Sequence, residues 1–312
     1  MRFEEAYGNW TKGSLSQEEA AQILGISSRT LRRYTVRYAD DGVCGLSDRR
    51  LTQASWRRAP LDEVLALIND YKSRYLGWNV KHFYNGYLRD GGTRSYTWVK
   101  NTLQSRGLAP KAAKKSSYLT RRERARLPGM MLHQDGSTHE WVPGKKWDLI
   151  VTMDDATSEI YSMFFVPEEG IGSSFQGVRD VILMYGLFCS IYTDRASHYW
   201  YTPEVGGKVS KTHLTQFGCA MSNLGIEMIL ADSPGTIGRF ERVFRTHQDR
   251  LPKQLAAHGI TEMGDANRYL EQQYRLEVNK YLMKPATEEG SAFVPWTGAN
   301  LDGILCEISR GQ

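Results

Sequence analysis

Cysteine is scarce in this chain: four residues in 312, at positions 44, 189, 219 and 306, with no Cys-x-x-Cys pair among them. That excludes a zinc ribbon, a dithiol redox motif and the disulfide framework of a small secreted domain, and leaves buried or half-buried free thiols in a reducing compartment as the expectation. Long apolar runs are missing too. The longest, Val181 to Tyr192, is interrupted by Gly186 and Ser190 and falls well short of the roughly 20 residues a membrane helix requires, so no membrane partner is expected. The first residues, Met1-Arg2-Phe3-Glu4-Glu5, lack the basic-then-apolar order of a secretory signal, which makes the cytoplasm the expected location. The 41% apolar and 24% charged residues exclude a collagen-like repeat and a largely disordered chain. At this length they allow roughly two or three domains.

The formal net charge of +5 comes from 40 Lys and Arg against 35 Asp and Glu. Its distribution is uneven. Residues 1–126 hold 24 basic and 12 acidic residues, and the remaining 186 hold 16 and 23. A front segment at +12 carries the electrostatic footprint of a polyanion binder, whereas a back segment at −7 needs a different explanation.

Residues 14–38 read as a helix-turn-helix. Ser16-Gln17-Glu18-Glu19 forms a capping box, Ala20, Ala21, Ile23 and Leu24 supply a buried stripe, and Gly25 ends the helix. Ser27 or Ser28 caps the next helix, with Leu31 and Tyr34 inward and Arg29, Arg32, Arg33 and Arg37 outward. An Arg-studded second helix has the polar face a major-groove reader needs; a solvated amphipathic hairpin is the plainer alternative. Apolar stripes at 64–71, 80–88 and 96–103 predict three more helices, the last two separated by Asp90-Gly91-Gly92. They fit either a second helix-turn-helix offering Arg94, Ser95, Thr97, Lys100 and Asn101, or plain aromatic core. The stretch 109–128, with Lys111, Lys114, Lys115, Arg121, Arg122, Arg124 and Arg126, reads as a solvated linker or as an arm along a phosphate backbone.

Beyond Pro128 the texture changes. Strand-length runs at 130–134, 147–153, 160–166, 187–193 and 226–230 are joined by helical patterns at 173–185, 212–224 and after Asp232-Ser233-Pro234-Gly235. Three consecutive strands followed by alternating helices and strands predict a mixed five-stranded sheet covered by helices. The expected division is 1–50 and 51–108 for the two helix-turn-helix regions, 109–128 for the linker, 129–285 for the α/β core and 286–312 for a C-terminal tail, read as truncated.

Three acids stand out, two of them at strand ends. Asp135 closes the first strand in Leu132-His133-Gln134-Asp135-Gly136-Ser137, with Gly136 permitting an unusual turn; Asp194 ends the fourth in Tyr192-Thr193-Asp194-Arg195; Glu241 lies two turns into the last helix. Rivals exist. Asp154 and Asp155 are adjacent and fit a hairpin turn, while Asp148, Glu227 and Asp232 replace a member only under another register. His133, His139 and His198 lie near the acids but show no zinc spacing.

The set Asp135, Asp194 and Glu241, with Tyr-Thr-Asp-Arg around the second acid and Asp-Ser-Pro-Gly-Thr-Ile-Gly-Arg-Phe-Glu-Arg around the third, resembles the integrase-core transposases of bacterial insertion sequences, of the ISNCY-like kind. The resemblance covers nearly the whole chain. It implies a ribonuclease-H-like α/β catalytic core preceded by all-α helix-turn-helix domains, and the three acids as catalytic, metal-binding residues. It further implies Mg²⁺, with Mn²⁺ as a substitute, and double-stranded DNA of element ends and target as partner. A homo-oligomeric synaptic complex and a nucleoid-associated place in a bacterial cytoplasm follow. Ser28, Arg29, Arg32, Arg33, Arg37, Arg94, Lys100, Lys114, Lys115, Arg121, Arg122, Arg239 and Arg242 are the expected DNA contacts. The implied activity is two-metal nicking and strand transfer at terminal inverted repeats. The alternatives are a catalytically impaired, truncated copy acting as a DNA-binding repressor, or a nuclease that cuts without joining. Departures from the family pattern fall at Gly235 and Ile237 and at the chain end, where relatives continue into a small β-rich domain.

Overall fold

The computed structural model describes residues 2–48, 58–111, 123–203, 207, 209–210, 212–231, 234–298 and 300–307, with backbone alone over 234–240. Lys114, Lys115, Arg121 and Arg122, and the side chain of Arg239, lie outside the described residues. The chain forms two compact units, 1–69 and 70–312. The boundaries drawn from sequence at 50, 108, 128 and 285 do not coincide with that division.

In the first unit, α1 (Arg2–Thr11), α2 (Gln17–Ile23) and α3 (Ser28–Asp41) enclose Ala6, Ala20, Ala21 and Leu31, with Phe3, Trp10, Leu24 and Ile26 packed around them. The capping box forms as read: Glu19 N–H donates to Ser16 Oγ, and Ser16 N–H to the Glu19 carboxylate. Ser27, not Ser28, caps α3. Ile23 is exposed, contrary to expectation. At about 100° per residue it lies about 60° outside the arc shared by Ala20, Ala21 and Leu24. Helix α1 was not anticipated, although Phe3, Ala6, Tyr7 and Trp10 carry its spacing.

Helix α4 (Leu61–Arg74) is followed in the second unit by α5 (Val80–Arg89) and α6 (Tyr96–Ser105), whose N-caps are Asn79 and Ser95. The sheet then comprises β1 (Leu132–Val142), β2 (Lys145–Asp154), β3 (Ile160–Val166), β4 (Ser190–Thr193) and β5 (Glu227–Leu230), in the order β3-β2-β1-β4-β5. The first three strands form an antiparallel meander; β4 runs parallel to β1, and β5 parallel to β4. This is the mixed five-stranded, ribonuclease-H-like arrangement expected. Alternation along the strands sends Leu149, Val151 and Met153 to a core with Val243, Phe244, Leu251 and Leu255 of α9 (Pro234–Ala257) and with residues of α10 (Met263–Tyr269) and α11 (Arg275–Leu282). Leu132 and Ile191 belong to a second core with α7 (Ile171–Tyr185) and α8 (Gln216–Asn223).

Two local expectations change. Strand β1 continues well past Asp135 because its pairing with β2 persists to Val142, so Asp135 lies inside the strand rather than at its end. The four cysteines are free, as expected, but exposed rather than buried; Cys219, for instance, stands on the outer face of α8 beside exposed Ser222. The stretch after 286 also packs on the core: Leu187 and Val294 form an antiparallel bridge, and Leu301 and Leu305, around α12 (Leu301–Ile304), are buried. Among the described residues no helix is long and apolar enough to cross a membrane.

Candidate active site

Strands β1 and β4 share two registered pairs, Leu132 with Ile191 and His133 with Tyr192. Beyond them the strands diverge. Asp135 and Asp194 each lie two residues past the His133–Tyr192 pair, so the period of two turns both toward the same side of the sheet. Helix α9 packs beneath that opening and presents Glu241, Arg245 and Gln248 on one face by their spacing of four and three. The result is a cavity of about 560 Å³ whose lining includes Asp135, Ser137, Asp194, Glu241, Arg245 and Gln248. The three acids singled out in the sequence are therefore brought to one place.

Like charges crowd Asp135 there. Burial, then repulsion from Asp194, then repulsion from Glu169 push the Asp135 carboxyl up to about 8, against a weaker opposing hydrogen bond from Gly136 N–H at 2.9 Å. Among the described residues no ion pair reaches Asp135, Asp194 or Glu241. Carboxylate oxygens without an ion-pair partner are the donor set that hard divalent cations take, so these residues fit such an ion. They are not closed around one: among the described residues no three His, Cys, Asp or Glu side chains are grouped tightly enough to chelate a metal, and Glu241 is exposed on α9.

Glu169 was missed in the sequence. Asp148 holds its backbone by accepting from Glu169 N–H at 2.7 Å, and His198 Nε2 lies 3.6 Å from Glu169 Oε1. A Cβ on Gly136 would come within 2.1 Å of Glu169 Oε2. Gly136 is thus needed for close approach of this acid to the strand beside Asp135, not for a turn as expected. That glycine was the one available signal.

The rival acids have structural roles. Asp154 accepts from Gly129 N–H and from the N–H and hydroxyl of Thr157; Asp155 accepts from Ala125 N–H and pairs with His133 Nε2 at 2.8 Å. Both are fully buried, and each satisfied lone pair avoids a cost of about 1–3 kcal/mol. Arg124 locks the same turn by donating to the carbonyls of Asp155 and Ala156 and to Ser158 Oγ. Asp232 lies outside the described residues, and Glu227 lines a different cavity.

The chain is 28% identical over 285 residues to a protein named as transposase y4bF of Sinorhizobium fredii, covering 89% of this chain and 61% of that protein. It is 23% identical over 298 residues to the transposase for insertion sequence IS1202 of Streptococcus pneumoniae, covering 83% and 63%. Its curated homologues are transposases of insertion sequences. The chain spans about three fifths of the length of these transposases. No family model matches it. Among solved structures it is similar to the simian T-cell lymphotropic virus intasome in complex with a PP2A regulatory subunit (17% identity, 66% of this chain and 73% of that chain, TM-score 0.39) and to the HTLV-2 integrase catalytic core domain in complex with magnesium (17%, 49% and 97%, TM-score 0.35). That likeness is too slight to transfer anything between the molecules.

Of the transposase-like basic residues expected to contact DNA, Arg29, Arg32 and Arg33 stand exposed on α3 and Arg37 is half-buried there. Ser28 contributes its carbonyl to Gln17 Nε2. Arg94 lies over the Trp98 ring at 5.4 Å, and Lys100 is half-buried on α6. Arg242 is exposed on α9 next to Glu241.

Proposed function

We propose that this chain is a DNA transposase that binds the terminal inverted repeats of an insertion sequence and catalyses strand nicking and strand transfer through Asp135, Asp194 and Glu241. The observation that carries the reading is the gathering of three acids, from a strand interior, a strand end and a helix, onto one cavity. Descent from the same stock as insertion-sequence transposases supports it. Asp135, Asp194 and Glu241 would hold two Mg²⁺ ions, or Mn²⁺ in their place, which supply charge compensation, a more acidic nucleophilic hydroxyl and stabilisation of the leaving oxygen.

The chain's own residues do the positioning. The diverging strands hold Asp135 and Asp194 side by side, and Arg245, on the Glu241 face of α9, would bind phosphate oxygens of a strand entering the cavity, while Gln248 donates to Ser137 Oγ. Arg29, Arg32, Arg33 and Arg37, with Ser28, are the reading face of a helix-turn-helix within 1–50. Arg94 and Lys100 serve a second helical region at 51–108, and Lys114, Lys115, Arg121 and Arg122 serve the 109–128 arm, where they neutralise backbone phosphates. Arg239 and Arg242 serve the core at 129–285. Joining two element ends requires a homo-oligomeric synaptic complex, and such a protein works at the nucleoid.

The test is incubation of labelled element ends with the chain and Mg²⁺, resolving nicked and joined products. Asp135→Asn and Glu241→Gln are expected to remove both. Reaction unchanged in either variant would overturn the assignment. Binding with no cleavage would instead make the chain a repressor, and cleavage without joining a nuclease.

A further inference from the structure

The outer face of α3 is basic except at its middle. Buried Leu31 and half-buried Tyr34 and Tyr38 turn the inner side of the helix to α1 and α2, where the two tyrosine rings meet Phe3 and Tyr38 also meets Tyr7. On the opposite side Arg29, Arg32 and Arg33 stand exposed, and Val36 among them is 62% exposed. At about 100° per residue, Arg32 lies roughly 40° to one side of Val36, and Arg29 and Arg33 lie roughly 20° and 60° to the other. Ala39 and Asp40 continue this face one turn further on. Among the described residues none of the three guanidinium groups has an ion-pair or hydrogen-bond partner.

The fold gives a valine no reward at that position. A β-branched side chain loses rotamer freedom in a helix, and so exposed a residue recovers little of that through burial. Single apolar residues are ordinary on a protein surface. What sets Val36 apart is its place, at the centre of a cationic face whose other members only donate hydrogen bonds.

Such a face has a chemical complement. Short at its middle and long at its sides, it fits a groove: Val36 touches a floor close to the helix while the arginines reach past it to the edges and walls. That floor is apolar at one point and rich in acceptors around it. The major groove of duplex DNA admits an α-helix, offers guanine O6 and N7 as acceptors between its phosphates, and carries a single kind of methyl group, at C5 of thymine. A-form RNA has a major groove that side chains cannot read. We propose that Val36 is a specificity-determining residue that packs on a thymine methyl group in the major groove, with Arg29, Arg32 and Arg33 on guanine edges or phosphates around it. This rests on α3 being the reading helix and adds the base pair that its centre reads.

The test uses the whole chain in chelator, so that no strand is cut. Duplexes that the chain binds are selected from a random-sequence library, and in the preferred duplex each thymine in turn is replaced by deoxyuridine, which removes the C5 methyl group and nothing else. Affinities are read by fluorescence anisotropy at fixed salt. One replacement is expected to weaken wild-type binding about fourfold, the worth of one buried methyl group, and to change the binding of Val36→Ala by less than about twofold. The variant is not expected to melt lower than wild type, alanine being the better helix former. A duplex in which no methyl group matters, or the same loss at every thymine for wild type and Val36→Ala, would overturn the proposal. Salt dependence judges the underlying reading separately. If Arg29→Ala, Arg32→Ala and Arg33→Ala lower the salt slope while no methyl group matters, α3 stays on DNA and the role of Val36 falls; slopes unchanged in all three overturn both. A Val36→Ala chain that binds every duplex as wild type does but sediments differently assigns the face to a second copy of the chain, which also overturns the proposal.

Discussion

Helix α9 lines two cavities that hold their polar groups in different ways. At Glu241 it meets Asp135 and Asp194, carboxylates facing carboxylates; at Arg250 it meets His82 and Asn85, side chains that are themselves buried. Other buried polar groups are paired, Asp154 with Gly129 and Thr157 and Asn279 with the backbone of Ile160 among them. Burying an unpaired polar group costs stability; of the three acids Asp135 is half-buried, while Asp194 and Glu241 are exposed. The carboxylates at Glu241 are open to an ion, whereas the nitrogens Arg250 Nε, His82 Nδ1 and Asn85 Nδ2 are shut inside the packing.

The comparison breaks most decisively at catalysis. Asp135→Asn or Glu241→Gln is expected to lower cleavage of element ends by at least about 10³-fold, beyond the 10–100-fold typical of losing an outer-sphere partner, as read in single-turnover assays. Arg250→Met, distant from the acids, should leave chelation by the triad intact.

A smaller effect is read through pH. His82 and His247 are held neutral by burial, each with its pKa lowered to about 3. Their folded values lie below the ordinary 6.5, so the stability they contribute is present above pH 6.5 and is lost as pH falls toward 3. Urea unfolding at pH 7 and pH 4.5 should differ by roughly 3–5 kcal/mol from these two groups. Equal midpoints would show that neither ring is buried as described.

Asp135 has the opposite sign. Its carboxyl is held at about 8, above the ordinary range, so its contribution is present below about pH 4 and is lost as pH rises toward 8. In chelator at pH 8, Asp135→Asn should melt about 2–5 °C higher than wild type, and at pH 4 no higher. Mg²⁺ should raise the wild-type melting temperature and not that of the variant. The smallest effect concerns charge that is solvated rather than buried. Replacing any one of Arg29, Arg32 or Arg33 by Ala should reduce the slope of log affinity against log salt for duplex DNA by about 0.9, and a slope unchanged in all three would remove α3 from the interface.

Much of this was legible because it is written locally. The Ser16–Glu19 capping box, the helical stripes of α5 and α6 and the strand-length apolar runs follow from neighbours a few residues apart, where propensity and periodicity act. The acids were legible through a motif, since 59 and 47 residues separate them and no periodicity spans such gaps. Glu169 was not, because its proximity to Asp135 depends on the bare Cα of Gly136 in a different element. The roles of Asp154 and Asp155 were half-legible: adjacency suggested a turn, but their buried partners come from Gly129, Ala125 and His133.

By itself, the sequence determined the order of helices and strands, the basic front and acidic back, and which three acids were worth following. Tertiary structure alone decided that β1 and β4 diverge just before Asp135 and Asp194, that Glu169 joins them, and that Arg250, His82 and Asn85, far apart in the chain, line one cavity. The physical reason is range. Hydrogen-bonded turns and amphipathic faces are fixed by residues within a helical turn, whereas the field at a carboxylate or a guanidinium is set by whatever the fold brings within a few ångströms, from anywhere along the chain.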